Sequence, residues 1–171
     1  MNTAIINSDS YEKHNTGDGH PEQPKRVIAI KEKLKKRNDL IWETPVSVPD
    51  EILAMTHSKE YIKNLNNSFP QKGLKFLDGD TVVSPESKKA VFDAAGSTIA
   101  AIDGIENNQF KNAFCLSRPP GHHAEKNKAM GFCCISNAGV ATNYLTNKYN
   151  YKRIACVDFD VHWGNGNYDV L

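Results

Sequence analysis

The run Ile154-Ala155-Cys156-Val157-Asp158-Phe159-Asp160-Val161-His162 begins apolar and ends in alternating charged residues, and its reading decides the fold. Residues 154–157 predict a buried strand, short and continuously apolar as strands are when both faces of a parallel sheet are covered. Side chains alternate faces along an extended chain, so Asp158, Asp160 and His162 share one face. Two carboxylates and an imidazole at the end of a buried strand are costly unless something neutralises them. A divalent cation does so, because it accepts both oxygen and nitrogen ligands. The carboxyl ends of strands are also where α/β proteins place their sites. On these residues alone the alternative stays open that Asp160 caps a turn and His162 is an ordinary loop histidine.

Upstream, strands and helices alternate. Residues 3–7 read as a strand, followed by a polar loop over 15–21. Pro24 suits a first helical turn, and Val27, Ile30 and Leu34 recur at helical spacing towards Arg37. Residues 40–48 read as extended. Short helices are expected over 50–55 and, behind a Ser58 N-cap, over 59–65. Residues 74–83 read as loop. Ser84-Pro85-Glu86 then opens a long helix with Val91, Ala94, Ala95, Thr98, Ile99, Ile102 and Ile105 on its buried stripe. Residues 113–116 read as another buried strand, residues 137–149 as a helix, and residues 167–171 as the start of one more. The fold class is therefore α/β, a parallel sheet flanked by helices.

Composition narrows the function classes. The 171 residues are 39% hydrophobic, enough for a core, and 21 Lys+Arg against 20 Asp+Glu leave a net charge of +1. That balance speaks against a nucleic-acid partner. No apolar run is long enough to cross a membrane, and the first residues do not read as a signal peptide. Four cysteines, two adjacent and none in C-x-x-C spacing, form no disulfide framework, so a cytoplasmic location is the expectation.

A second cluster lies in Arg118-Pro119-Pro120-Gly121-His122-His123-Ala124. The prolines stiffen the approach and the glycine permits a tight turn, which presents two histidines on a rigid loop. Histidine moves protons near neutral pH, and a carboxylate such as Asp158 beside one ring would fix its tautomer. Taken alone, the cluster reads first as a polar surface loop that happens to carry His-His.

These stretches, with Gly131-Phe132-Cys133 and the Gly164-Asn165-Gly166 that follows His162, resemble the histone deacetylase superfamily, which includes acetylpolyamine amidohydrolases and bacterial deacetylase-like proteins. His20-Pro21-Glu22-Gln23-Pro24-Lys25-Arg26, His57-Ser58-Lys59-Glu60-Tyr61-Ile62 and Asp80-Thr81 fit the same pattern in order. The resemblance implies an arginase/deacetylase-type domain and a zinc-dependent deacetylase acting on acetyl-lysine in a protein or on a small acetylated amine such as an acetylpolyamine. It implies Asp160 and His162 as two of three zinc ligands, His123 as general base, and His122 as its electrostatic partner and proton carrier. Asp158 would be a buried carboxylate that orients His122 and helps hold a structural potassium ion, with Asn165 behind His123. Gly131 and Phe132 would wall the acyl-chain tunnel, and Asp80 would grip substrate backbone.

Two features depart from the family pattern. Trp163 stands where a second histidine is usual. The family's third metal ligand, an Asp, and its oxyanion-stabilising Tyr lie downstream of the stretch that ends here at Leu171. The expectation is thus that residues 1–171 are the N-terminal portion of one catalytic domain, inactive alone, with a complementary C-terminal half as its partner. A binuclear-metal ureohydrolase and a non-catalytic pairing module are the alternatives.

Overall fold

The computed structural model describes residues 2–171. In chain order the elements are β1 (Thr3–Ile6), α1 (Ser10–Lys13), α2 (Lys25–Leu34), β2 (Leu40–Glu43), α3 (Asp50–Leu53), α4 (Lys59–Asn66), β3 (Lys75–Phe76), β4 (Val82–Val83), α5 (Ser87–Glu106), β5 (Asn112–Cys115), α6 (Asn137–Tyr149) and α7 (Asn165–Val170). Three strands form a parallel sheet in the order β2-β1-β5, with Ile5 opposite Trp42 on one side and Phe114 on the other. The central strand is covered on both faces, as a parallel sheet requires. Ile5 packs with Tyr11, Val27, Ala90, Ala94 and Leu116, while Ala4 and Ile6 pack with Ala101 and Phe110.

The long helix α5 organises the core. Its small residues let neighbours approach closely: a Cβ on Gly96 would meet the Val46 carbonyl oxygen at 2.1 Å, and one on Gly104 would meet Phe110 Cζ at 2.0 Å. Val91, Ala95, Ile99 and Ile102 join Val140 and Tyr144 of α6 in the largest apolar cluster. Ser58 caps α4 by accepting from the Tyr61 N–H, and Ser136 caps α6 by accepting from the Gly139 N–H. Among the described residues no helix is long and apolar enough to cross a membrane.

Several expectations need correction. Residues 154–157 are not a buried strand: no backbone group of residues 152–162 bonds another backbone group, and Val157, Phe159 and Val161 are 84%, 97% and 92% exposed. A strand exists only through its ladder, and no described strand lies beside this segment. Asp158 and Asp160 instead satisfy the backbone N–H two residues ahead of each, at 3.1 and 2.8 Å, which makes consecutive Asx turns. Phe114, expected to be buried in β5, is 46% exposed, and Ile30 and Ile105 also face solvent. Residues 74–83 hold a small antiparallel hairpin rather than loop alone. Ser84 does not cap α5; its own N–H donates to Ser87 Oγ, which reverses the expected direction.

Candidate active site

The site is built on the loop that leaves β5. Arg118 opens it and is fully buried, with its guanidinium paired to Glu22 (Nη2 to Oε2 2.8 Å) and donating to the carbonyls of Tyr11 and His14. Burial alone would raise the Glu22 carboxyl, but hydrogen bonds from His14 and Arg118 and the adjacent positive charge override it and hold the group at about 2. This ties the 14–22 loop to the base of the histidine loop. Gly121 then turns where a Cβ would lie 2.6 Å from the Asn137 nitrogen, at the start of α6.

Two imidazoles follow, with ring centroids 4.0 Å apart. His122 Nδ1 lies 3.0 Å from Asp158 Oδ2, and His123 Nδ1 lies 2.6 Å from Asn165 Oδ1. Both oxygens accept, so each ring carries a proton on Nδ1, and the lone pair of its neutral form lies on Nε2. The Asn167 N–H donates to the His122 carbonyl at 3.0 Å and fixes the backbone between them. His162 stands near His123, ring centroids 6.1 Å apart, with its Nδ1 2.9 Å from Asp160 Oδ1. Backbone hydrogen bonds first, then the neighbouring imidazoles, hold the carboxyls of Asp158 and Asp160 below their ordinary range. Asp158 is exposed rather than buried, because no neighbouring strand covers its segment. Among the described residues no group of three or more His, Cys, Asp or Glu side chains is assembled to hold a metal.

Gly131 is packing more than wall. Its φ is +55°, and a Cβ there would lie 2.4 Å from His123 Cδ2, so the bare backbone makes room for the ring. Phe132 follows with its N–H on Thr81 Oγ1 at 3.0 Å and its ring edge-on to His20, centroids 4.9 Å apart. The His20 Nε2 meets the Asp80 carbonyl at 3.0 Å, so Asp80 enters this group through its backbone. The motif that carries His20 resembles the family's first active-site loop, whereas Thr81 carries no assigned role in the sequence. Sequence reasoning missed Glu125 altogether, whose Oε1 accepts from Asn165 Nδ2 at 2.7 Å. Gly164 and Gly166 also crowd the site: a Cβ on the first would lie 2.8 Å from Asp158 Oδ2, and on the second 2.4 Å from the Ala124 carbonyl. Two glycines flanking an asparagine, separated from His162 by Trp163 alone, were the available signal.

Known proteins are similar to this chain in sequence and in fold. A family model described as the histone deacetylase domain matches residues 20–171. An uncharacterized protein of Synechocystis sp., slr0245, is 40% identical over 95% of this chain and 55% of its own length. A probable deacetylase of Methanothermobacter thermautotrophicus is 35% identical over 98% of this chain and 50% of its own. Type-2 histone deacetylase 2 of Dictyostelium discoideum is 32% identical over 93% of this chain and 11% of its own. A crystal structure of the HDA15 HD domain superposes with a TM-score of 0.90 at 30% identity, covering 98% of this chain and 49% of that one. The chain thus spans about half the length of several proteins it matches and 11% of the Dictyostelium protein. The matched stretch contains the histidine loop, the Asp158–His162 segment and the fold that positions them, and the chain belongs to the histone deacetylase family.

Proposed function

We propose that this chain supplies the proton-handling half of a zinc-dependent deacetylase site, which hydrolyses the acetyl amide of a lysine in a protein or of a small acetylated amine. The imidazole pair carries the reading: two rings 4.0 Å apart, each with Nδ1 committed to an acceptor oxygen. His123 Nε2 is placed to take a proton from the water that attacks the carbonyl carbon. The Asp158 carboxylate lets His122 carry positive charge, and a proton returned from this pair leaves with the amine as the C–N bond breaks. Water and amide thus give acetate and free amine. Asp160 and His162 would hold the metal, since a carboxylate oxygen and an imidazole nitrogen are donors zinc takes; here the two hydrogen-bond each other at 2.9 Å, and a metal would replace the proton they share. Bound there, zinc would supply Lewis acidity towards the carbonyl and the water. Catalytic zinc takes three protein ligands, so the reading requires a further donor beyond this pair. Phe132 and His20, with the Asp80 backbone, would line the approach of the acyl chain.

The proposed partner is polypeptide equivalent to the remainder of a histone deacetylase domain, joined to this chain or separate from it. It would cover the bare side chains of Val157, Phe159 and Val161 and bring the missing donor. The test measures zinc content and turnover of an acetyl-lysine peptide for the 171-residue chain, alone and mixed with that remainder. One zinc and turnover in the mixture, both lost in Asp160→Ala, are expected. A full equivalent of zinc retained by Asp160→Ala, or two manganese ions per site, would overturn the reading.

A further inference from the structure

The geometry points to Glu125 as a positioning residue that sets which nitrogen of His123 bears the proton; the catalytic meaning of this rests on the deacetylase reading above. Asn165 has an amide whose two ends are chemically opposite, and only one of its two orientations leaves His123 a base. With Oδ1 towards the ring at 2.6 Å, the imidazole donates from Nδ1 and Nε2 is free. Rotated by half a turn, the amide would present its NH2 to Nδ1, the ring proton would move to Nε2, and the lone pair aimed at the site would be lost.

The surroundings of Asn165 Nδ2 decide between the two. It faces three acceptors: Glu125 Oε1 at 2.7 Å, Met130 Sδ at 3.4 Å and the His123 carbonyl at 3.5 Å. Two of these are long and weak, whereas the carboxylate makes a charge-assisted bond about twice as strong as a neutral one. A rotated amide would set Oδ1 against that carboxylate. Glu125 is itself held in place. Its carbonyl accepts from the buried His57 Nδ1 at 2.9 Å, and its N–H donates to the Lys128 carbonyl at 3.0 Å in the turn that follows Ala124. The order of control runs from a carboxylate on an anchored backbone to an amide and from the amide to a tautomer.

The test reads the tautomer directly. Imidazole 15N spectra of the 171-residue chain separate Nδ1–H from Nε2–H rings, with His123→Gln giving the assignment. Wild type is expected as Nδ1–H. Glu125→Ala, checked for folding by circular dichroism, is expected to transfer most of the His123 population to Nε2–H. Glu125→Gln, whose side-chain carbonyl still accepts, is expected to restore the wild-type pattern. In a preparation that turns over acetyl-lysine peptide, kcat of Glu125→Ala should fall about tenfold with KM unchanged, because a base in the wrong tautomer is absent from the transition state. A wild-type His123 on Nε2–H, or a Glu125→Ala spectrum identical to wild type, overturns the assignment. The expected tautomers in a preparation that never deacetylates would leave Glu125 in this role and remove the deacetylase reading instead.

Discussion

Gly131 shows what single residues contribute and how little of it the sequence exposes. The motif placed it in the site, but its task is to leave space for His123, and that follows from two segments meeting in three dimensions. Gly131→Ala should cost about 1–2 kcal/mol for a left-handed alanine and push the His123 ring off Asn165 Oδ1. A urea titration checks the first effect and the loss of the His123 Nδ1–H signal the second. The pairing of His122 with Asp158 was easier to read, because both residues announced themselves by type. Burial decides the pH response. His57 is fully buried with Nδ1 donating to the Glu125 carbonyl and Nε2 accepting from the Ser136 N–H, so a protonated ring would face a donor with a donor. Burial holds both His57 and His14 below the ordinary 6.5. The unfolded chain therefore takes up protons first, and stability is lost as pH falls below 6.5. Glu22, held at about 2 against an ordinary 4.5, adds a second loss from 4.5 downward. The urea midpoint should fall between pH 7 and 5 and fall further towards pH 3; a flat midpoint between pH 7 and 5 would contradict neutral buried imidazoles.

At the scale of elements, helices were legible from their periodicity. Residues 137–149 are legible with the bounds that α6 has from side-chain spacing alone, and the Ser136 cap that starts the helix emerges only in the structure. The Ser58 cap on α4 was legible in the sequence itself, and Ser58→Ala should destabilise the chain by about 1 kcal/mol, with Ser58→Asp close to wild type in the same denaturation series. The entry to α5 misled because Ser-Pro-Glu fits a cap by composition, while the backbone before it is claimed by Ser87 Oγ. Strands were legible only in part. β1 and β5 found partners, whereas residues 154–157, equally apolar, did not. Apolar runs state what a segment wants to bury, and pairing depends on which other strands are present.

For the molecule as a whole, the same segment joins fold to function. Its acidic residues and His162 lie towards the imidazole pair while its apolar residues point into solvent, so this part of the site rests on backbone held by side-chain turns alone. Stability is therefore uneven. β1 lies between two strands with both faces covered, and α5 is clamped by α6 and β5, so their amides should exchange only through global opening. Residues 152–162 hold no backbone–backbone hydrogen bond and should exchange within seconds. Asp160 and His162 would then sample many geometries, which weakens zinc binding because a flexible pair must be ordered each time the metal enters. Hydrogen exchange followed by mass spectrometry measures this peptide by peptide. Fast exchange throughout residues 152–162 is expected for the chain alone, with protection spreading across them once the remainder of a deacetylase domain is added. Strong protection of this segment in the chain alone would mean that it already has a strand partner, and the proposed complement would lose its docking surface.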